Sequence, residues 1–452
     1  MNDDYPTASA GSIIIVHFLF FPNRPPEIFM RYLFSVLFLV IFTTSQAQKP
    51  KQLFIKAAKF YDSEKNVFLV NQDLLIEGDR IVAVGSGLKK PKNARLIDLG
   101  NSTVTPGLID AHTHLLINQK ITKDGLEVAS KVPADERMKQ ALGFAKSSLM
   151  AGLTTVRDVG NSGQFLDVSL KEQLKRDETP GPRLVVSGPI LSPPGGQFGR
   201  LFPADSFLIN QEYRVVKGAE DARAAVLEHI RRGVDVIKVC MNTDNRVLAP
   251  DEIKAIVETA HQQKIPVTAH ATYDESARDA VLAGVDGIEH GYSLSDSTLS
   301  LMAKRGTYLV PTDVSREQGK LRVAAIGMKG KEGEDYLNGA LKGFHDRLNR
   351  AVKKGVPIVS GSDYYNDIPG IDRGKGSVDV LLSYAEAGIP IPTVLQFATL
   401  NAAKALGISN QTGTLKKGMK ADLTVFKGDL EKDFPTALFA IEMVIKDGKV
   451  YP

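Results

Sequence analysis

Two histidines close an apolar run near the end of the first quarter of the chain. The stretch TPGLIDAHTHLL, residues 105–116, places His112 and His114 on either side of Thr113. In a β-strand, alternate side chains point to the same face, so the two imidazoles would converge while Thr113 points away. Converging imidazole nitrogens suit a metal ion, but a bare His-x-His pair is equally well explained by one core histidine and a chance neighbour.

Further polar residues stand at or near the ends of later apolar runs. They are Lys238 in VDVIKVC, His270 in IPVTAHA, His290 in VDGIEHG and Asp363 in VPIVSGSD. Taken singly, each histidine could be a buried structural residue bonded to the backbone, and Asp363 could cap a helix. Lys238 is harder to explain, because a charged ammonium among apolar residues is costly unless it is paired, neutral or chemically altered.

Short apolar segments between residues 107 and 405 alternate with segments of helical period, such as DARAAVLEHIRRG and DEIKAIVETAHQQ. The strand-like segments are GLIDAHTH, GLTTVRDVG, RLVVSG, VDVIKVC, IPVTAHA, VDGIEHG, TYLVPTD and VPIVSGSD. Eight strands alternating with helices predict an α/β fold, a (β/α)8 TIM barrel, whose polar strand ends meet at one mouth. A doubly wound sheet is disfavoured, because the sequence has no glycine-rich nucleotide turn after an early strand.

Both ends of the chain have the pattern of short strands joined by tight turns. DLLIEGDRIVAVG places Gly78-Asp79 between two apolar runs, and IEMVIKDGKVYP places Asp447-Gly448 in the same position, as in two-residue hairpins. We therefore predict a small β-sandwich domain built from residues 48–105 and 406–452. It flanks a barrel domain of residues 106–405.

The N-terminal segment, residues 1–47, differs from the rest. From Met30 the sequence reads MRYLFSVLFLVIFTTSQAQ: a basic residue, then an apolar stretch, then small and polar residues up to a cleavage site near Ala47. This is the pattern of a secretory signal peptide. Its apolar stretch is shorter than the roughly 20 residues of a membrane-spanning helix. The pattern predicts removal of residues 1–47, a periplasmic or secreted protein, and no membrane anchor.

The overall composition disfavours several other classes of protein. The net charge is +4, with 24% charged residues and no long basic block, so we expect no nucleic-acid partner. Cys240 is the only cysteine, so the chain has no internal disulfide. A serine hydrolase of the Gly-x-Ser-x-Gly type is disfavoured, because that motif is absent.

The polar residues at the strand ends form a donor set that suits metal ions. Imidazole nitrogens with a carboxylate oxygen suit zinc, and also manganese, iron, cobalt or nickel. Four histidines, one aspartate and one bridging group are too many for a single tetrahedral ion that keeps an open position. Two divalent ions, about 3.5–4 Å apart, fit better, and we predict Zn²⁺.

The chain resembles the amidohydrolase superfamily, in its prolidase and imidazolonepropionase-like branch. The resemblance rests on TPGLIDAHTHL, on the isolated His270 and His290, on SGSD at the eighth strand, and on the closing GTLKKGMKADLTVF. It implies that Lys238 matches a strand-four lysine that reacts with carbon dioxide to give a carbamate bridging two metal ions. This change would resolve the electrostatic problem of a lysine at this position, because it turns a cation into an anionic oxygen ligand.

The resemblance also implies how the ligands are shared and what they do. One ion would be held by His112, His114 and Asp363, and the other by His270 and His290. The implied reaction is cleavage of a carbon–nitrogen amide bond in a dipeptide, an Xaa-Pro-like peptide or an N-acyl amino acid by a metal-bridging hydroxide. Asp363 is the predicted catalytic residue, which takes the proton of the hydroxide and passes it to the leaving group.

Other functions on the same scaffold stay open. A lactonase, an esterase or a cyclic-amide hydrolase would use the same dinuclear site. A metal-free binding protein on the same barrel is disfavoured, because none of the expected ligands is missing from the sequence. The partner expected in every catalytic case is a small molecule or short peptide, and assembly into a homo-oligomer is left open.

Substrate choice is expected to depend on the loops that follow the strands. The candidate substrate-binding residues are Arg157, Gln197, Tyr273 and Tyr292. Many prolidase-like relatives resemble GGHG where this chain has GGQF, and Gln197 carries no positive charge. Binding of a free carboxylate would then need Arg157 or Arg200 as a substitute. Alternatively, Arg157 forms a local ion pair and the two tyrosines only pack.

Overall fold

The computed structural model describes residues 52–176, 178–243 and 246–452. The predicted signal peptide, which ends near Ala47, lies outside the described residues, so its removal and the export of the protein stay predictions. None of the helices within the described ranges combines the length and the apolar character needed to cross a membrane.

The strands of the described residues are short, apart from the first two. They are β1 Gln52–Asp62, β2 Val67–Glu77, β3 Arg80–Gly85, β4 Arg95–Asp98, β5 Thr103–Pro106, β6 Leu108–Thr113, β7 Leu153–Asp158, β8 Arg183–Val186, β9 Ile190–Ser192, β10 Tyr213–Val215, β11 Ile237–Cys240, β12 Asn242–Thr243, β13 Arg246–Val247, β14 Val267–Ala271, β15 Gly287–His290, β16 Tyr308–Val310, β17 Leu423–Phe426, β18 Ile441–Lys446 and β19 Lys449–Tyr451.

The helices lie mainly between the strands of the middle region, and a 3₁₀ helix covers Pro203–Asp205. They are α1 Gly125–Ser130, α2 Ala134–Met150, α3 Leu166–Lys175, α4 Phe207–Glu212, α5 Ala219–Arg232, α6 Pro250–Gln262, α7 Asp274–Ala283, α8 Asp296–Arg305, α9 Arg316–Ala325, α10 Gly330–Lys353, α11 Arg373–Val378, α12 Val380–Glu386, α13 Ile391–Phe397, α14 Leu400–Ala405 and α15 Phe434–Ala437.

Strands from both ends of the described chain form one eight-stranded sheet. Its order is β19-β18-β17-β5-β1-β2-β3, with β4 paired to β1. The two ends meet where β5 pairs antiparallel with β17, from Thr103 opposite Phe426 to Pro106 opposite Leu423. Both predicted hairpins are present, between β2 and β3 and between β18 and β19. The ends therefore share a sheet, and its closure into a sandwich stays a prediction.

The parallel strands of the middle region lie in two sheets. One has the order β6-β7-β8, and the other has the order β10-β9-β11-β14-β15-β16. At one margin, Asp235 N and Val236 N, just before β11, donate to Val186 O of β8 over 2.8 and 3.3 Å. At the other margin, the segment VPIVSGSD lies between β6 and β16: Ala111 N donates to Ser360 O, and Val359 N donates to Leu309 O, each over 2.9 Å. The described residues thus show an α/β fold with buried parallel strands, and regular pairing does not close these strands into a complete barrel.

The prediction of a regular eighth strand was wrong, whereas each of the other seven segments contains a strand. VPIVSGSD is extended chain with one isolated bridge, between Ile358 and Leu309. Pro357 has no N–H to donate to a ladder. A Cβ on Gly361 would lie only 2.8 Å from that of His112. The segment nevertheless brings Asp363 to the end of β6, where its backbone N–H donates to His112 O over 2.8 Å.

A buried ion pair ties α2 and α4 to the loops that follow β6 and β7. Arg137 and Glu212 are both buried, with 2.5 Å between Nη1 and Oε1. Arg137 also donates to Leu116 O and Asn161 O, over 2.7 and 2.5 Å. Gly163 N donates to Glu212 Oε2 over 3.0 Å. The pair therefore fixes loops at the carboxyl ends of two neighbouring strands.

Substitution of Glu212→Ala is expected to lower the free energy of unfolding by about 3–5 kcal/mol, because it leaves Arg137 as an unpaired buried cation. Chemical denaturation of wild type and variant measures the difference. The matched control is Glu220→Ala, which breaks a surface pair with Arg223 at a side chain that is 92% exposed, and its cost is expected to stay below about 1 kcal/mol. Equal costs for the two variants would contradict the structural role of the buried pair.

Candidate metal centre

All six predicted metal ligands line one cavity of about 220 Å³. The cavity lies at or near the carboxyl ends of β6, β11, β14 and β15, which is where barrel enzymes place their active sites. Its walls are His112, His114, Lys238, His270, His290 and Asp363, together with Asn161, Ile190, Gln197, Tyr292 and Tyr365. The fold thus brings together residues that are as much as 251 positions apart, from His112 to Asp363.

The Asp363 carboxylate lies among the imidazoles. Its Oδ1 is 3.2 Å from His114 Nε2 and 3.4 Å from His112 Nε2, and its Oδ2 is 3.8 Å from His290 Nδ1. The ring centroids of His270 and His290 are 4.6 Å apart. Ligand atoms of His112, His290 and Asp363 all lie within 4.8 Å of one another, a spacing that fits a shared metal ion.

Two of the imidazoles are held by acceptors behind them. His112 Nδ1 donates to Glu289 Oε2 over 2.6 Å, and His114 Nδ1 donates to Gly160 O over 2.8 Å. The bond to Glu289 places a proton on Nδ1 of His112 and leaves the lone pair of its Nε2 facing the cavity. Histidines that bind a metal ion usually donate their other ring N–H to a carboxylate or carbonyl oxygen in this way. The donor chemistry of the cavity therefore fits a divalent ion.

The backbone at the strand ends is strained. His290, Thr312 and Asp363 have φ of 70°, 55° and 49°, in the left-handed region that residues other than glycine rarely adopt. Thr312 Oγ1 accepts from His290 Nδ1 over 2.8 Å. The buried Arg347 of α10 donates to His290 O and forms an ion pair with Asp313. A residue of an outer helix thus holds the backbone of a predicted ligand.

Arg157 does not have the position expected of a substrate-binding residue. It is buried, and its guanidinium donates to Ala111 O over 2.6 Å, to Tyr308 Oη over 2.8 Å and to Glu289 Oε1 over 2.6 Å. Thr268 Oγ1 donates to the same oxygen of Glu289. Because these donors point into the protein and Arg157 does not line the cavity, the geometry assigns it to holding Glu289 rather than to holding a substrate.

The other three substrate candidates have different positions. Gln197 lines the cavity, with Nε2 3.3 Å from both ring nitrogens of His270 and with Oε1 accepting from Tyr213 Oη over 3.1 Å. Tyr292 also lines the cavity. Tyr273 is 56% exposed and is not among the lining residues. The structure therefore places Gln197 and Tyr292 where a substrate would lie, and Tyr273 outside.

Burial and mutual repulsion control the protonation of the cluster. Burial, with the nearby charge of Lys238, lowers the pKa of His112 well below its usual value and that of His270 to about 3. Burial also lowers the pKa of Lys238. Burial raises the pKa of Asp363, but the neighbouring imidazoles outweigh it and hold the value at about 2. Burial lowers the pKa of His114, but the Asp363 carboxylate outweighs it and raises the value.

At neutral pH, His112 and His270 are therefore neutral and Asp363 is an anion, which are the forms that bind a metal ion. These forms exist before any ion arrives. Binding to these three residues needs no removal of a proton, so the pKa directions agree with the donor chemistry of the cavity. The pKa of His114 is shifted in the opposite direction, because the Asp363 carboxylate favours its protonated form.

Sequence reasoning did not identify the residues that hold the ligands. Glu289 had a usable signal, because it is a charged residue within the apolar strand segment VDGIEHG, as Lys238 is within VDVIKVC. Arg347 had none, since it stands among the charged residues of FHDRLNR. Thr312 is equally unremarkable in sequence, and its role depends on the fold alone.

Comparisons with known proteins agree with this geometry. A family model described as the amidohydrolase family matches residues 103–451. Ochratoxinase from Aspergillus niger is 27% identical over 411 residues, which cover 83% of this chain and 82% of that protein. Imidazolonepropionase from Alkaliphilus metalliredigens is 24% identical over 416 residues, which cover 83% of this chain and 89% of that protein.

A solved structure of a prolidase complexed with N-methylphosphonate-L-proline is similar throughout. Its sequence identity to this chain is 28%, and its TM-score is 0.76 over 89% of this chain and 99% of that one. The family match extends from before His112 to beyond Asp363 and so includes the whole cavity. The chain belongs to the amidohydrolase family, the metal-dependent hydrolases that act on carbon–nitrogen bonds.

Proposed function

We propose that this protein is an exported dinuclear amidohydrolase that cleaves the amide bond of a dipeptide, an Xaa-Pro-like peptide or an N-acyl amino acid. The observation that carries the proposal is the convergence of four imidazoles, Lys238 and Asp363 in one cavity. We also infer that the two parallel sheets are parts of one (β/α)8 barrel, because backbone hydrogen bonds join β8 to the start of β11 and join the segment VPIVSGSD to both β6 and β16.

The donor set is divided between two ions in this proposal, with zinc as the expected metal. One ion would be bound by His112, His114 and Asp363, and the other by His270 and His290. A carbamate on Lys238 would bind both ions. Bound ions of this kind supply a water that ionises near neutral pH and polarise the carbonyl of the substrate. Support comes from the number of donors, since one tetrahedral ion with an open position takes only three protein ligands.

Asp363 is the proposed catalytic residue. Its carboxylate lies between His114 and His290, at 3.2 Å from the one and 3.8 Å from the other. Because the imidazoles keep the pKa of Asp363 at about 2, the carboxylate is anionic at every pH at which amide hydrolysis would be assayed. It can therefore accept a proton from the attacking water and deliver it to the nitrogen of the leaving amine.

The walls of the cavity indicate how a substrate would be oriented. Asn161, Gln197, Tyr292 and Tyr365 offer amide and hydroxyl groups without charge. Gln197 is the proposed contact for the substrate amide or acid group, because it faces His270 and is held by Tyr213. A short peptide is the favoured substrate class, since a similar protein is named prolidase and was solved with a proline phosphonate.

A cyclic amide is the second candidate substrate class. It is favoured by the match to a protein named imidazolonepropionase, which covers 83% of this chain. Lactones and esters fall within the same alternative, because the same two ions would polarise their carbonyl groups. The products distinguish the substrates: a peptide releases a separate amine, an opened cyclic amide carries its new amine and acid on one molecule, and a lactone yields no amine.

The first experiment measures substrate turnover by the protein from Gln48 onward, after purification with zinc and bicarbonate. The panel contains dipeptides, N-acyl amino acids, cyclic amides and lactones, and the assay detects released amine or acid. We expect release of amine from short peptides, because the cavity combines metal donors with uncharged polar walls. Turnover of lactones or cyclic amides with no peptide cleavage would move the protein to the second class.

Substitution of Lys238→Ala is expected to lower the bound metal from about two ions per chain to one or fewer and to abolish most of the activity, because the bridging group is lost. Elemental analysis of metal per chain measures the first effect without reference to the substrate. The control is Lys342→Ala, at an exposed lysine of α10, which should keep both ions. A Lys238→Ala protein with full metal content and full rate would refute the bridging role of Lys238 and the mechanism that depends on it.

Substitution of Glu289→Gln is expected to weaken zinc binding by about 10–100-fold, because an amide cannot balance Arg157 and accepts less well from His112 Nδ1. Titration against a competing chelator measures the affinity directly. The matched control is Glu332→Gln on the surface of α10, where no change is expected. Equal affinities in both variants would show that Glu289 does not orient the ligand.

A further inference from the structure

A groove of about 970 Å³ opens at the other ends of the strands that carry the predicted ligands. It is lined by residues that come just before β14, β15 and β16, at 265–266, 285–286 and 306–307, and by Pro357. His270 and His290 stand at the far ends of β14 and β15. The groove therefore lies at the amino ends of these parallel strands, and the metal cavity lies at their carboxyl ends.

The floor of the groove is mainly apolar. It is formed by Ile265, Pro266, Val285, Tyr308, Pro357 and Ala405. Ligand sites in proteins usually have volumes of about 300–1,000 Å³, with apolar walls and a few polar groups at fixed positions. The groove has the size and the lining of such a site.

Three cations surround this floor. They are Lys264, Arg305 and Lys404, all exposed, and none of them takes part in a salt bridge with a described residue. Asp286 is the one acidic residue of the lining, and its Oδ2 accepts from His261 Nε2 over 2.9 Å and from Val267 N over 2.7 Å. With three cations and one carboxylate, the lining keeps an excess of positive charge.

One of the three cations is already fixed in place. Arg305 Nη1 donates to Val281 O and Leu282 O at the end of α7, over 3.1 Å in each case. A guanidinium held by carbonyl groups loses less conformational entropy when it binds an anion than a free side chain does. Lys264 and Lys404 supply the flexible charges on either side.

We propose that this groove binds an anionic molecule with an apolar body, such as an aromatic carboxylate or sulfonate. The apolar floor buries the body, and the three cations bind the acid group. Charge complementarity favours an anion over a cation or a neutral molecule of the same shape. The proposal is independent of the reaction at the metal centre.

Packed side chains separate the groove from the metal cavity. The ring of Tyr308 lines the groove, while its Oη contacts the buried Arg157 over 2.8 Å. A Cβ on Gly287 would lie 2.0 Å from the same ring, so no space is left beside it. A molecule in the groove is therefore not a substrate approaching the metal centre from behind, and the two sites can be tested separately.

The test is a fluorescence titration of the purified protein with 1-anilinonaphthalene-8-sulfonate, which combines an aromatic body with one negative charge. We expect one saturable site, and roughly tenfold weaker binding in the double variant Lys264→Gln/Lys404→Gln, because two of the three cations are lost. The control Lys342→Gln, at an exposed lysine of α10, should bind as wild type does. The uncharged probe N-phenyl-1-naphthylamine should not distinguish the double variant from wild type.

Equal affinity of the sulfonate for wild type and the double variant would overturn the proposal, as would the absence of saturable binding. Binding that is lost in Asp363→Asn but kept in the double variant would place the probe in the metal cavity and would overturn it as well. Catalytic inactivity on every substrate of the panel, with the sulfonate still bound as expected, would refute the proposed function and leave this site intact.

Discussion

The Glu289 carboxylate is fully buried, so neighbouring groups must balance the charge that water would otherwise solvate. One oxygen accepts from His112 Nδ1 and the other from Arg157, at 2.6 Å in both cases. Arg157 is fixed in turn by Ala111 O and by Tyr308 Oη. The orientation of His112 toward the cavity therefore depends on a set of interactions that spans four strands, β6, β7, β15 and β16. Loss of Glu289 or Arg157 leaves an unpaired charge in the interior, which is far more costly than loss of a surface contact.

A second constraint acts on the backbone. Left-handed φ values at His290, Thr312 and Asp363 cost about 1–3 kcal/mol each, so the surroundings must hold them in place. Thr312 Oγ1 accepts a hydrogen bond from the His290 ring, and Arg347 donates one to the His290 carbonyl. Helix α10 thus has a role beyond covering the strands. The catalytic face is preorganised by an element that contributes no ligand.

The sequence pointed to the candidate metal ligands, but it did not point to the residues that hydrogen-bond to those ligands. His112, His270 and His290 stand at strand ends, and the carboxyl ends of parallel strands meet at one edge, so local patterns suffice to bring these residues together. Arg157 lies buried against Glu289 and not in the wall of the cavity, which the local sequence pattern could not distinguish from a position at the strand end. Arg347 contacts His290 across 57 positions, and no local pattern encodes such a contact. A regular eighth strand does not form in this segment, because Pro357 lacks an N–H and Gly361 lies too close to His112 for a regular ladder of hydrogen bonds.

The chemistry proposed for Lys238 follows from its burial. The low-dielectric interior disfavours the ammonium and lowers the pKa of Lys238, so more of the side chain is present as the neutral amine. Only the amine has a lone pair with which to attack carbon dioxide, and the reaction forms one nitrogen–carbon bond, releases one proton and leaves a carboxylate. Two divalent ions would bring four positive charges into a cavity whose lining holds one carboxylate, that of Asp363. A carbamate would replace a repelling cation with a second anion, so in the proposed centre the burial that makes Lys238 unfavourable as an ammonium would also favour its conversion to a ligand.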